Sequence, residues 1–271
     1  PFDKLDNVAA PDFAAGAMEN AGLIIYRDSL MFANEQSPAD LRQGYWGVSA
    51  HELAHQWFGN LVTMEWWDDL WLNEAFATWL GNKITGKLQP QFHTDRNILE
   101  GALGAMDADS LASTRRIAEP ITDFRQIMSA FDVITYRKGG AVLSMFESYI
   151  GETQFRDGVR NYLKAHERGN ATSDDLISAI AALSKEPARY KAAFESYIDQ
   201  PGVPFLNVDV DCSGGKPAFV LEQRRYLPIG STPSADLGRT AERALRRRRA
   251  GARGEGHRYG RSFALRIAAG R

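Results

Sequence analysis

Cysteine is nearly absent: Cys212 is the only one among 271 residues. An internal disulfide is therefore excluded, and so is a structural zinc site closed by several thiolates. No apolar run approaches the ~20 residues needed to span a bilayer, so no transmembrane segment is expected. The chain opens Pro1-Phe2-Asp3, with neither an initiator methionine nor a basic, apolar leader. No signal peptide is expected, and the start reads as the interior of a longer protein. The missing leader says little about compartment. A soluble protein is expected, with the cytoplasm slightly favoured over the periplasm or extracellular space. Net charge is also small, −2, with 44% hydrophobic and 24% charged residues. That composition is ordinary for a globular protein of one large domain or two small ones, with ample material for a core.

The small net charge hides an asymmetry. Residues 231–271 hold 11 Arg and 3 acidic residues, or +8, which leaves −2 − 8 = −10 for the preceding 230. An acidic body argues against a nucleic-acid partner. It also suits a substrate with a positive amino terminus, although solubility explains it as well. The tail, with its run Arg246–Arg249, has two readings. It is either a ligand for nucleic acid or anionic lipid, or disordered, non-native sequence from a shifted reading frame; the second is preferred.

Only five histidines are present, and two of them stand four residues apart in HELAHQWFGN (51–60). On a helix His51 and His55 share one face, where two imidazoles can bind one metal ion. Glu52 lies between them, one position round the helix, near any water in such a site. Glu74 follows 74 − 55 = 19 positions later, far enough for a turn and a second helix to bring a carboxylate back. His, His and Glu make a three-ligand catalytic zinc site with one position open. A bare His-Glu-x-x-His arises by chance in roughly one chain of this length in a hundred, so the flanking motifs decide its meaning.

With WLNEAFATW (71–79) and GAMEN (16–20) in the same order, the sequence resembles the gluzincin aminopeptidases of the aminopeptidase N type. The resemblance covers residues 1 to about 226. It implies an α+β fold: a thermolysin-like zinc peptidase domain over 1–203, N-terminally incomplete, with a small mixed β-sheet and an α-helical subdomain. Residues 204–230 would begin a β-sandwich, and 231–271 form the Arg/Ala/Gly-rich tail. One Zn²⁺ per chain would sit on His51, His55 and Glu74, with Glu52 as the catalytic base. Tyr136, at 136 − 74 = 62 positions past Glu74, matches the tyrosine that donates its hydroxyl to the tetrahedral intermediate. A neutral phenol suits that role. Gly16, Ala17, Met18, Glu19 and Asn20 would bind substrate. Gly16 and its small neighbours let a peptide backbone approach and pair as an added strand. Met18 would cushion the first side chain, and Glu19 would hold the free α-amino group. The implied partners are peptides with a free N-terminus, shortened by one amino acid per cycle.

The remaining chain reads as follows. Lys4–Ala9 and Gly22–Tyr26 are expected as strands. Arg42–Gly59 is expected as the first zinc helix, stopping at Gly59-Asn60, and Leu70 to about Leu80 as the second. Asp68 or Asp69 would accept the second ring N–H of a ligating histidine, or act as a helix N-cap pair. Tryptophans 57, 66, 67, 71 and 79 are expected in the core. Helices follow at Gln91–Met106, around Val142–Tyr149, at Phe155–His166, from the cap Thr172 to Leu183, and at Pro187–Tyr197. Phe205–Val210 and Ala218–Gln223 alternate as strands. His93, His166 and His257 fall outside ligand spacing. The alternative function is a truncated, catalytically weak fragment, at most a peptide-binding module, since the domains that enclose the cleft in the family are missing. A thermolysin-type endopeptidase disagrees with Glu19, and lipid-epoxide opening is a further family side activity. A nucleic-acid binder would depend on the tail alone.

Overall fold

The structure, a computed structural model, describes residues 1–212, 218–231 and 262–263. In chain order its elements are β1 (Asp6–Ala10), β2 (Ala17–Met18), β3 (Leu23–Arg27), α1 (Asp28–Met31), α2 (Ala39–His55), β4 (Val62–Met64), α3 (Trp71–Leu88) and α4 (Thr94–Asp109). Then come α5 (Gly139–Ile150), α6 (Glu152–Ala165), β5 (Gly169–Ala171), α7 (Ser173–Ala181), α8 (Pro187–Ile198), β6 (Pro204–Asp211), β7 (Ala218–Arg225) and β8 (Ser262–Phe263). The fold is α+β, with small sheets and many helices. No helix among the described residues is long and apolar enough to cross a membrane.

The chain divides into two compact units. The first, Pro1–Ala105 with Arg116–Asp199, contains every residue marked above for chemistry. At its centre α3 buries Trp71, Leu72, Ala75, Phe76, Ala77 and Trp79, so it is apolar nearly all round, as a core helix must be. Phe76 stacks on Phe58 beyond α2, at 4.6 Å between ring centroids. Trp71 leans on Phe194 of α8, and Phe194 stacks on Phe146 of α5 at 4.3 Å. Each such ring contributes roughly 2–3 kcal/mol through burial. The mixed sheet has the order β1-β3-β2, with β1 parallel and β2 antiparallel to β3. The two-residue β2 therefore lies at an edge. A second sheet pairs β4 with β5 in parallel; strands of three residues are too short to leave a periodic signal in sequence.

Several boundaries move, each for a local reason. α2 starts at Ala39, because Pro38 supplies the preset backbone angle at its entry. It stops at His55 rather than at Gly59-Asn60. The next four residues form a tight turn in which Gly59 takes φ +128°, a value that favours glycine. α3 passes through Gly81 to Leu88, because that glycine lies against the backbone of α2 rather than at a helix end. The N-terminus of α7 is a capping box, with Thr172 accepting from Asp175 N–H and Asp175 accepting from Thr172 N–H, as Thr172 suggested. Trp71 and Trp79 are core, whereas Trp57 and Trp66 are 37% and 56% exposed. The Trp66 indole N–H donates to the Ile121 carbonyl at 3.0 Å, which holds the ring at the surface.

The second unit comprises Met106–Arg115 and the described residues from Gln200 onward. β6 and β7 pair antiparallel over their full eight residues, and Ser262-Phe263 adds a short strand beside β7. The readings offered for the tail, including His257, concern residues 232–261 and 264–271, which lie outside the described residues.

Candidate active site

The helical repeat sets the first distance. One turn of α2 separates His51 from His55, and their Nε2 atoms stand 3.0 Å apart. Glu74 enters from the first turn of α3, where exposed N–H groups favour a carboxylate. Its Oε2 lies 3.3 Å from the Nε2 of each histidine. Two nitrogens and one oxygen thus form a triangle with edges of 3.0, 3.3 and 3.3 Å. Three tetrahedral ligands at ~2.0–2.1 Å from a zinc ion stand about 3.3–3.4 Å from one another. The donor set and its spacing therefore fit one metal ion, with the fourth direction free of a protein ligand in this group.

The ring orientation is fixed from behind. His55 Nδ1 lies 2.9 Å from the Phe58 carbonyl, which accepts its N–H and leaves Nε2 for the triangle. Asp69, one of the two acids expected in this outer position, goes elsewhere. It accepts from the backbone N–H and the hydroxyl of Ser173 and so caps α7. The Phe58 carbonyl is available because the chain leaves the helix at His55. This partner is a backbone atom, and no side-chain pattern announces it.

Electrostatics follow from burial. For Glu74, desolvation acts upward, but hydrogen bonds from both imidazoles outweigh it and bring the carboxyl down to about 2. For His55, burial acts downward, yet Glu74 and then Glu19 lift the ring to about 9. Burial dominates at His51 and lowers it. Glu52, 6% exposed, is pushed up to about 7 by burial, with Glu19 and Glu74 adding to the effect and His55 opposing it.

Glu19 completes the cluster. Its Oε1 lies 3.8 Å from His55 Nδ1. The ligand-type atoms of Glu19, Glu52 and His55 all fall within 4.8 Å of one another. Since His55 Nδ1 already serves Phe58, this second group is better suited to a hydrogen-bonding cation than to a metal. The Glu19 carbonyl accepts from Asn60 Nδ2 at 2.6 Å and from Gln56 Nε2 at 3.2 Å. Gln56 Oε1 in turn accepts from Gly22 N–H at 3.0 Å. Gln56 was not singled out in the sequence, and Asn60 was named only in the expected helix stop, although both belong to HELAHQWFGN; two amides directly after the histidine pair were the available signal. Ala17 and Met18 form β2, and Met18 is exposed. The Gly16 carbonyl accepts from Arg27 N–H, and the Asn20 carbonyl from Leu23 N–H. These four residues belong to the segment that carries Glu19.

Tyr136 arrives on a π-helical turn, Ile134–Lys138, that runs directly into α5. Such turns are rare and recur at functional sites. The phenol ring stacks on His51 at 6.0 Å and 24°. Burial, the nearby charge of Glu74 and a hydrogen bond to Glu74 hold its hydroxyl above the usual tyrosine range, so it stays a neutral donor. Six residues from four separate stretches thus converge: Glu19, His51, Glu52, His55, Glu74 and Tyr136.

Comparison with known proteins bears on this arrangement. Residues 1–197 match the model of the peptidase family M1 domain. Aminopeptidase M1 of Arabidopsis thaliana is 42% identical over 232 residues, covering 85% of this chain and 26% of that protein. Probable aminopeptidase 1 of Sulfurisphaera tokodaii is 42% identical over 233 residues, 85% of this chain and 29% of the relative. Leucyl aminopeptidase of Saccharolobus solfataricus is 40% identical over 229 residues, 84% and 28% of the two chains. The chain spans about a quarter of the length of the curated relatives it matches. With its metal-type triangle, its two flanking carboxylates and 197 residues matched, this chain belongs to peptidase family M1.

Proposed function

We propose that the chain is the catalytic part of a zinc-dependent aminopeptidase that removes single residues from the free N-terminus of peptides. The observation that carries this reading is the triangle of His51, His55 and Glu74 with the carboxylates of Glu52 and Glu19 beside it. We assign residues 1–203 to a thermolysin-like catalytic domain and 204–230 to the start of a β-sandwich. The names of the relatives, aminopeptidases from a plant and two archaea, support the same reaction.

His51, His55 and Glu74 would hold one Zn²⁺, which when bound supplies a Lewis acid for the scissile carbonyl. The rest falls to the chain's own side chains. Glu52 takes the proton of the attacking water and passes it to the leaving amine; its raised affinity for protons suits both directions of transfer. Tyr136 donates its hydroxyl hydrogen bond to the carbonyl oxygen as charge develops there. Losing such a donor costs roughly 3–4 kcal/mol of transition-state stabilisation. Glu19 pairs with the substrate ammonium, so a blocked terminus leaves this carboxylate unpaired. The edge strand β2, with Gly16 and Asn20 at its flanks, offers backbone groups to an extended peptide.

The test incubates the full chain and added zinc with an unblocked peptide and its N-acetylated twin, read by mass spectrometry. Single-residue losses from the free peptide alone are expected. Internal cuts in both peptides would replace the reading with an endopeptidase, and no cleavage of either would reduce the chain to a peptide-binding module. Glu52→Gln should lower turnover by about a hundredfold or more while zinc stays bound; joint loss of zinc and activity would contradict its role.

A further inference from the structure

Two glycines lie where an added β-carbon would be crowded, beyond what side chains tolerate at Gly139 and tighter than ordinary contact at Gly81. At Gly139, the first residue of α5, an added β-carbon would stand 2.7 Å from Ala75 Cβ. Carbon atoms in contact sit at about 3.5–4.0 Å, so no rotamer accommodates it. Ala75 is fully buried and directly follows Glu74, while Gly139 lies three residues after Tyr136 at the end of the π turn. At Gly81, on α3, an added β-carbon would stand 3.0 Å from His51 N and 3.2 Å from Ala50 C. Those are backbone atoms, which cannot swing aside.

We propose that these are positioning residues with separate tasks: Gly139 sets the Tyr136 phenol against Glu74, and Gly81 sets the gap between the helices that carry His51, His55 and Glu74. The division follows from what each glycine faces. Gly81 meets the amide of a ligand residue, so a methyl there drives α2 from α3 and opens the 3.3 Å edges of the triangle. Gly139 meets the residue beside Glu74, on the segment that carries the phenol. A methyl there lifts the π turn from α3 and leaves the triangle intact. The remaining neighbours of that methyl, Ile134 O at 3.8 Å and Ala75 Cα at 3.9 Å, are at ordinary contact distance. Removing the Ala75 methyl therefore makes room for the one at 139. Glycine-to-alanine changes within helices ordinarily stabilise, by up to about 1 kcal/mol, so a loss at either position points to the contact itself.

This inference rests on the proposed reaction only for its kinetic arm. The full chain is prepared as parent, Gly139→Ala, Gly81→Ala, Gly139→Ala with Ala75→Gly, and Ala75→Gly alone. Zinc affinity is read by chelator competition. The environment of Tyr136 is read from the ¹⁹F signal of 3-fluorotyrosine and its change on adding zinc, assigned with Tyr136→Phe. Gly139→Ala should keep zinc affinity near the parent, shift the Tyr136 signal, and lower kcat by about a hundredfold with KM little changed, the usual effect of a displacement near 1 Å. Adding Ala75→Gly should return both signal and kcat toward the parent. Gly81→Ala should weaken zinc at least tenfold, the scale seen when ligand support is lost. An unchanged Tyr136 signal in Gly139→Ala overturns the proposal, as does failure of Ala75→Gly to rescue, including the case where Gly139→Ala does not fold. Zinc affinity retained in Gly81→Ala overturns that half. If the parent shows no peptidase activity, the reaction reading fails, while the ¹⁹F and zinc arms still decide this one.

Discussion

At the scale of single residues, the site combines a cluster of titratable side chains with amides that hold one of its members. Gln56 and Asn60 never reach the triangle, yet together they bind the Glu19 carbonyl from the turn that ends α2. Each such bond is worth about 1 kcal/mol, so Asn60→Ala should raise KM for a free-amine peptide about fivefold. Zinc affinity should stay unchanged, because no ligand is touched. Steady-state kinetics beside chelator competition measures both, and a fall in zinc affinity would show that the turn supports His55 instead. The residues proposed for chemistry could be picked out because metal and proton-transfer chemistry restricts residue type and spacing: His51, Glu52, His55 and Glu74 stand in such a pattern, and the fold brings them together. What supports them could not, because the Phe58 carbonyl is a backbone atom and any residue could supply it. Asp69 shows the converse, an acid near the motif whose partner, Ser173, is 104 positions away.

At the scale of elements, helices were read from periodicity, and their ends were read less well. α3 outran its expected end because Gly81 serves packing, and α2 stopped early because the tight turn through Gly59 takes over after His55. α7 is the case where a local signal sufficed. Asp175 accepts from Thr172 N–H and from the Thr172 hydroxyl, both at 2.8 Å. The Thr172 backbone bond is the largest cause that holds its carboxyl below the ordinary value. A depressed carboxyl adds stability above its unfolded pKa, near ~4, and loses it as pH falls through the folded value. Asp175→Asn should therefore be less stable than the parent at pH 7, with the gap closing below about pH 4. Urea melts of both proteins across that range test the sign; a gap that widens on acidification would refute it.

At the scale of the whole molecule, the metal-type site lies within the first unit, between α2 and the core helix α3. Ligand binding to the folded state alone stabilises it, by about 2.7 kcal/mol when free zinc is a hundredfold above Kd. Chelation should thus lower Tm by about 5–10 °C for a chain of this size. Calorimetry with and without chelator reads this, and an unmoved Tm would mean that the triangle does not bind zinc in the folded chain. The α+β class was legible through the resemblance that HELAHQWFGN, WLNEAFATW and GAMEN carry. The mixed order β1-β3-β2 was not, since a parallel pairing between strands 17 residues apart in register depends on what packs across it.

The π turn that carries Tyr136 has a genetic consequence. Such a turn holds one more residue than the α-helix it interrupts. Each residue of an α-helix turns the chain by ~100°, so loss of a single codon, Lys138 for instance, would let the segment rewind as α-helix and swing Tyr136 away from Glu74. α5 and its buried Val142, Leu143 and Phe146 would keep their places. A folded protein with normal zinc affinity and no turnover is the expected product of that deletion, and residual turnover at the parental rate would exclude it. A frame-preserving lesion of three nucleotides would then separate the fold from its chemistry, leaving a protein that melts like an enzyme and does not act as one.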